Sequence, residues 1–242
     1  MLSYLVMILN MEWRAAIMWI KKFLKNAFPK AFTYYREKRL LRQAYEILIK
    51  NKESFLYLTG WMNSLSEGKP VDVTGNQIPW MNYQIVTLLE NRLRSDFHLF
   101  EFGSGFSTVF YASLVKSVTS VECNQNWFQK IRKTIPENVE LVFKNKDIDG
   151  QYCRVISEAQ KEFDVVIVDG RDRVNCIKQA IEALSPRGVI LLDDSQRKRY
   201  QEGISYAKER GFRALSIEGF KATGLELDET TILYRNENCF DI

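Results

Sequence analysis

Leu99-Phe-Glu-Phe-Gly-Ser-Gly-Phe-Ser-Thr108, followed shortly by Ser117-Val-Thr-Ser-Val-Glu122, decides the fold of this chain. A short apolar run ends in the acid Glu101, a Gly-x-Gly bend (Gly103, Gly105) follows, then a helix-like segment, then a second apolar run ending in Glu122. A strand-helix-strand unit built this way places both acids at the carboxyl ends of neighbouring parallel strands, where open α/β sheets bind nucleotides. Glycines let the main chain turn sharply and approach a ligand closely, and Ser107 or Thr108 is suited to cap the helix that follows. Glu122 stands close to the spacing at which a carboxylate accepts hydrogen bonds from ribose hydroxyls, so a nucleoside-containing cofactor is expected. The register Gly103-x-Gly105-x-x-Thr108 lacks the third glycine of the dinucleotide fingerprint. An acid two residues before the first glycine also repels a pyrophosphate.

The pattern Glu-x-Gly-x-Gly after a strand, with an acid ending the next strand, resembles the class I S-adenosylmethionine-dependent methyltransferases. The resemblance extends to Asp164-Val-Val-Ile-Val-Asp-Gly170 and Gly188-Val-Ile-Leu-Leu-Asp-Asp194, similar to the family's fourth and fifth strands, and covers residues 78–235. It implies that Glu101, Gly103 and Gly105, with Ser104 and Ser107 of the same bend, surround the methionyl part of the cofactor, and that Glu122 holds its ribose. It implies further that Asp147, with Asp149 as competitor, neighbours the adenine amino group, and that Asp169 borders the cofactor. Ser107 stands where many members have a third glycine. Trp80, in Asn76-Gln-Ile-Pro-Trp-Met-Asn-Tyr83, is placed to cover the sulfonium through cation–π attraction, with core packing as the alternative.

Around these motifs strands alternate with helices, which calls for a mostly parallel sheet. Strands are expected at 99–102, 118–122, 139–143, 164–168, 188–193, 212–218 and 230–234, and helices at 80–93, 107–115, 124–134, 151–161, 173–184 and 196–210. Residues 64–79, rich in Ser, Gly, Pro and Asp, are expected to be a loop. The connection 219–229 is too short for a crossover helix, so the last two strands pair antiparallel. The expected fold is α/β, Rossmann-like, with seven strands, an antiparallel last strand and helices on both faces. Residues 1–63 form a helical extension and residues 64–242 the S-adenosylmethionine-binding domain.

Methyl transfer from an activated sulfonium is mainly alignment, plus removal of the acceptor's proton. His98 is the single histidine and directly precedes the first strand, so the bases available are carboxylates. Asp169 and Asp193 are the candidate catalytic residues. Asp169, Asp193 and Asp194 together suit Mg²⁺, which prefers oxygen ligands and lowers an acceptor's pKa. They resemble the ion site of metal-dependent catechol-type O-methyltransferases, with Asp194 in place of an asparagine. The alternative is that Asp193 and Asp194 cap the next helix while Asp169 pairs with Arg171 or Arg173.

Neither Asn-Pro-Pro-Tyr, used for amino acceptors, nor the Pro-Cys of cytosine C5 enzymes is present, which points to O-methylation of a small molecule or glycan. Gly170-Arg-Asp-Arg173 and Ser195-Gln-Arg-Lys-Arg199 add a basic cluster beside the site and suggest an acidic acceptor. The competing readings are a NAD-dependent oxidoreductase and a non-catalytic membrane- or partner-binding module.

Charge is uneven: residues 1–50 hold ten Lys or Arg against three acids, +7 in a chain of net +4, which leaves the remainder at −3. An acidic catalytic portion speaks against nucleic acid. Glu12 and Arg14 interrupt the apolar start, and a charge at mid-bilayer costs about 2.5–3.5 kcal/mol, so a spanning helix is disfavoured. No basic residue precedes the apolar run, unlike a signal peptide. Residues 1–28 read instead as an interfacial helix, with Trp13 and Trp19 at a membrane surface and Lys21, Lys22 and Lys25 near anionic headgroups. The alternative is a helix packed on the domain or on a second copy in a homo-oligomer. Met11 offers a second start that would delete the most apolar stretch. Cysteines 123, 153, 176 and 239 show neither zinc nor disulfide spacing, which fits a reducing cytoplasm, including the inner face of its membrane.

Overall fold

Seven strands form one sheet in the order β3-β2-β1-β4-β5-β7-β6, in a computed structural model that describes residues 18–20, 22–224 and 226–242. These strands are β1 (His98–Phe102), β2 (Ser117–Glu122), β3 (Val139–Phe143), β4 (Phe163–Val168), β5 (Leu184–Leu192), β6 (Arg213–Phe220) and β7 (Leu227–Tyr234). Strands β1 to β5 pair in parallel, and β7 runs antiparallel to both β5 and β6. The chain starts at the centre with β1, moves outward to β3, then returns to β4, so the order reverses between β1 and β4. A crevice opens at such a switch point, beyond the carboxyl ends of the strands.

The central strands are buried on both sides: Leu99, Phe100, Phe102, Val165 to Val168 and Val189 to Leu192 lie within the core. Strands covered by helices on both faces read as continuous apolar runs, as these do. Phe100 packs against Phe102 and Phe163 with ring centroids 4.7 and 5.2 Å apart, and Phe102 meets Tyr152 at 5.9 Å. His98 opens β1, where its Nδ1 lies 2.7 Å from Ser117 Oγ.

Two compact units are present, one ending at Leu58 and the other running over Thr59–Ile242. In the first, residues 18–20 and 22–27 are helical, helix α1 spans Pro29–Ala44, a π-helical stretch covers Tyr45–Lys50, and a single turn, α2, covers Phe55–Leu58. Trp19, Phe23, Phe28, Leu40 and Leu41 are exposed. Among the described residues no helix is long and apolar enough to cross a membrane. Met11, Glu12, Trp13, Arg14 and Lys21 lie outside the described residues.

The helices of the second unit are α3 (Trp61–Glu67), α4 (Tyr83–Arg92), α5 (Phe106–Leu114), α6 (Gln125–Ile131), α7 (Gln151–Glu158), α8 (Arg173–Ala183) and α9 (Gln201–Glu209). Several bounds differ from expectation, α9 starting at Gln201 rather than 196 and α6 and α7 ending at Ile131 and Glu158, and three of the differences have identifiable reasons. Residues 64–67 are helical rather than loop, because buried Ser64 exchanges hydrogen bonds with the main chain of Val71 and ties the helix end to the following segment. Helix α4 starts at Tyr83 rather than Trp80: the Asn82 side chain accepts from Ile85 N–H while donating to the carbonyls of Ile217 and Asp228, so it caps the helix and pins it to the β6–β7 hairpin. Helix α5 starts at Phe106, ahead of Ser107 and Thr108, whose hydroxyls are drawn inward to a buried carboxylate instead.

Candidate active site

The bend after β1 is held from beneath by Glu101. Its Oε2 accepts hydrogen bonds from Thr108 Oγ1 at 2.6 Å and Ser120 Oγ at 2.7 Å, and its Oε1 accepts one from Ser107 Oγ. Thr108 Oγ1 in turn accepts from Gly105 N–H at 2.9 Å. Glu101, expected beside the cofactor, is fully buried and outside the cavity wall, with its hydrogen bonds directed to the bend. Burial pushes its carboxyl up to about 7 against the pull of the three hydroxyls.

A carboxyl raised from its ordinary value of 4.5 to about 7 keeps its proton in the folded chain longer than in the unfolded one. Stability is therefore expected to fall as pH rises from about 4.5 to 7, by up to about 1.4 kcal/mol per pH unit. Thermal midpoints of wild type and Glu101→Gln at pH 5, 6, 7 and 8 check this: the variant loses Glu101's share of the slope. An unchanged slope would contradict the assignment.

Gly103 has φ +98, and a Cβ there would lie 2.9 Å from the Cα of Gly170, so the bends after β1 and β4 touch backbone to backbone. At Gly105 the nearest atom to a Cβ would be Ser107 Oγ at 4.0 Å, leaving that side of the bend open to the cavity. Ser104 N–H donates to Glu122 Oε2 at 3.3 Å, and Glu122 Oε1 accepts from Cys123 N–H and Asn124 N–H at 2.7 and 2.6 Å. The second predicted carboxylate is thus fixed at the end of β2 by main-chain donors.

A cavity of about 430 Å³ lies over these groups, lined by Trp80, Gly103, Ser104, Gly105, Ser107, Glu122 and Asp169. That volume falls in the range of small-molecule sites. Of the residues expected at the cofactor, Glu101, Asp147 and its competitor Asp149 are outside this wall. Asp147 accepts from the N–H groups of Gln151 and Tyr152 at 2.6 and 3.1 Å and borders a neighbouring cavity. Asp149 is exposed and pairs with Arg154 at 2.7 Å. Sequence reasoning missed Cys123, Trp127, Tyr152 and Tyr200 in the cavity wall. For Trp127 the position just inside the helix after Glu122 was a usable signal, since its indole N–H donates to Ser104 O at 2.8 Å.

The acids beyond β4 and β5 are not arranged as expected. Asp169 faces the cavity, and its Oδ1 accepts from Arg173 at 2.8 Å. Burial raises its carboxyl while Arg173 and Lys221 pull it down. Asp193, expected to be catalytic, is 1% exposed and lies outside the cavity wall. Its Oδ1 accepts from Thr230 Oγ1 at 3.0 Å, and burial together with Asp169 pushes its carboxyl up to about 8.

The acids that gather are Asp193, Asp194 and Asp228, with oxygens within 4.8 Å of one another, rather than Asp169, Asp193 and Asp194. Lys221 Nζ stands 3.9, 3.5 and 3.4 Å from these three carboxylates. Arg197 approaches Asp194 to 2.7 Å and Arg173 to 3.5 Å. Burial raises Asp194, but Lys221, Arg173 and Arg197 outweigh it and hold the carboxyl below its ordinary range. A divalent cation here would meet an ammonium and two guanidinium groups at contact range, where like charges repel by several kcal/mol. The residues do not fit Mg²⁺; the ammonium of Lys221 occupies the cation's place. Lys221, from the tip of the β6–β7 hairpin, and Asp228 were both missed; the unbalanced Asp193-Asp194 pair was the one hint that a cation had to arrive from elsewhere.

Residues 100–195 match the model of a family described as a methyltransferase domain. No curated protein matches the chain in sequence. Among solved structures, a putative O-methyltransferase from Klebsiella pneumoniae superposes with a TM-score of 0.50 at 16% identity, over 72% of this chain and 89% of its own. An rRNA methylase from Streptococcus thermophilus gives 0.49 at 14% identity, over 63% and 95%. A putative methyltransferase from Streptococcus mutans in complex with SAH gives 0.47 at 14% identity, over 61% and 94%. At such identities the likeness is one of fold. The matched stretch runs from within β1 to just past β5 and contains the glycine bend, Glu122 and Asp169, so this part of the chain is similar to a methyltransferase domain.

Proposed function

We propose that the chain methylates an oxygen of a small molecule or glycan, with S-adenosylmethionine seated in the cavity over the glycine bend. The observation that carries this reading is that Glu122 and Asp169 line one cavity from opposite sides of a bend whose Gly105 leaves room for a ligand. Bound there, the cofactor supplies an activated methyl group. Glu122 accepts the ribose hydroxyls, the main chain of Gly103, Ser104 and Gly105 lies against the methionyl part, and Trp80 covers the sulfonium. Asp169 Oδ1 stays on Arg173, which leaves Oδ2 to take the acceptor's proton; a carboxyl raised by burial is a better base than an ordinary one.

Calorimetric titration of the purified chain with S-adenosylmethionine and, separately, NAD tests the reading. Binding of the first alone is expected, and binding of NAD alone would replace it with the oxidoreductase. Asp169→Asn is expected to lower kcat at least about a hundredfold, within the range of general-base catalysis, while cofactor affinity is largely kept. Unchanged turnover would favour the non-catalytic module. Because Lys221 already neutralises the acids, turnover is expected to survive exhaustive chelation with EDTA. A loss restored by Mg²⁺ would overturn that.

For residues 1–28 we propose peripheral contact with an anionic membrane, on the strength of exposed Trp19, Phe23 and Phe28 interspersed with Lys22 and Lys25. Flotation with anionic but not neutral vesicles is the expected result; no flotation with either would refute it.

A further inference from the structure

Next to the cofactor cavity lies a second one of about 310 Å³. The two share Gly170, Arg171, Arg173, Arg199 and Tyr200, and the second adds Lys146. Arg173 is spent on Asp169 and its neighbours. Lys146, Arg171 and Arg199 are exposed and, among the described residues, have no carboxylate within ion-pair distance. Arg199 lies with its guanidinium carbon 4.8 Å from the centre of the Tyr200 ring, a contact that orients the group without using its N–H donors. The ring is buried, and the guanidinium carbon of Arg173 stands 5.1 Å from the same centre. Two acids also border this cavity, but both are committed to the chain. Asp147 accepts from two main-chain N–H groups, and Asp172 accepts from Asp149 N–H at 2.8 Å and the Asn175 amide at 2.9 Å. Lys146, Arg171 and Arg199 outnumber these two held carboxylates, so the space beside Asp169 carries net positive charge, a setting that fits the oxygens of a phosphate or carboxylate.

We propose that the acceptor is an anion: a hydroxyl-bearing small molecule or glycan unit whose phosphate or carboxylate group sits among Lys146, Arg171 and Arg199 while its hydroxyl reaches past Gly170 to Asp169. This rests on the methyltransferase reading above and names the substrate class. The acceptor oxygen gains the methyl group as the S–CH₃ bond breaks with its electron pair left on sulfur, and its proton passes to Asp169 Oδ2.

Inorganic phosphate, with acetate as the carboxylate counterpart, is the probe. Titrated calorimetrically into the full chain saturated with S-adenosylmethionine, phosphate is expected to bind, to weaken about tenfold in Arg199→Gln, and to be lost in the triple variant Lys146→Gln/Arg171→Gln/Arg199→Gln. All three side chains are exposed, so the variants are expected to keep the wild-type melting temperature; Lys146 alone of the three is outside the cofactor cavity wall, so Lys146→Gln is the variant expected to keep, within about twofold, the affinity for S-adenosylmethionine. Absence of phosphate and acetate binding, equal phosphate binding to wild type and triple variant, or competition between phosphate and S-adenosylmethionine would each overturn the proposal. Failure of the cofactor itself to bind shows in the control titration and would instead remove the methyltransferase reading.

Discussion

Arg173→Ala is expected to cost about 3–5 kcal/mol of stability, the range for removing one partner of a buried ion pair. The side chain is 7% exposed and serves both edges of the site. It donates to Asp169 Oδ1 at 2.8 Å, to the carbonyls of Asp169 and Gly170 at 2.9 and 3.1 Å and to that of Asp193, and it faces Asp194 at 3.5 Å. Without it the carbonyls lose their donors and the acids keep only Lys221 and Arg197. At about 2–4 °C per kcal/mol for a domain of this size, the thermal midpoint should fall on the order of 10 °C. The deficit should shrink as pH is lowered from 8 to 5. Asp169 and Asp193 already have raised carboxyls, and removing the guanidinium raises them further, so acid protonates them and cancels the uncompensated charge. Melting curves of wild type, Arg173→Ala and Arg173→Ala/Asp193→Asn across that range decide it: the double variant should recover part of the loss at pH 8. A midpoint within 2 °C of wild type would show that the network is not held by this residue.

This network also marks the limit of what the sequence reveals. Glu101, Glu122 and Asp169 were legible because each ends an apolar run, and the run and its terminal acid are local features of strand geometry. The glycine bend was legible for the same reason: only glycine satisfies the left-handed φ and the close approach at Gly103. Arg173 was half legible, as the i, i+4 partner of Asp169. Lys221 and Asp228 were not, because the β6–β7 hairpin brings them to Asp193 and Asp194 from about thirty residues away, and nothing local in Lys221-Ala-Thr marks a cation that must be buried. The metal reading failed at that point: three acids in one place imply a cation, but the sequence does not say whether it is an ion or an ammonium. The inward hydrogen bonds of Glu101 were not legible either: Ser107, Thr108 and Ser120, which hold it, look like surface polar residues until α5 packs over β2. Asn82, likewise, reads as one more polar residue until its amide is seen to close the β6–β7 hairpin onto α4.

Glu122→Ala is expected to weaken S-adenosylmethionine binding at least about a hundredfold. Two contributions add. The ribose loses an ionised acceptor, and hydrogen bonds to charged groups carry about 1.5–3 kcal/mol each. In addition, the N–H groups of Ser104, Cys123 and Asn124 lose the carboxylate that gathers them, so the bend after β1 and the turn after β2 are no longer fixed to one another. Glu122→Gln separates these contributions. Its amide oxygen can still take the two short bonds from Cys123 and Asn124 while the charge and the second acceptor are gone, so an intermediate loss of about tenfold is expected. Calorimetry on both variants, with circular dichroism to show that the sheet is intact, measures the pair. If Glu122→Gln binds as weakly as Glu122→Ala, the charge alone matters and the turn is rigid without it. If both bind as wild type does, the cofactor does not lie over β2, and the placement of its ribose at the end of that strand is wrong.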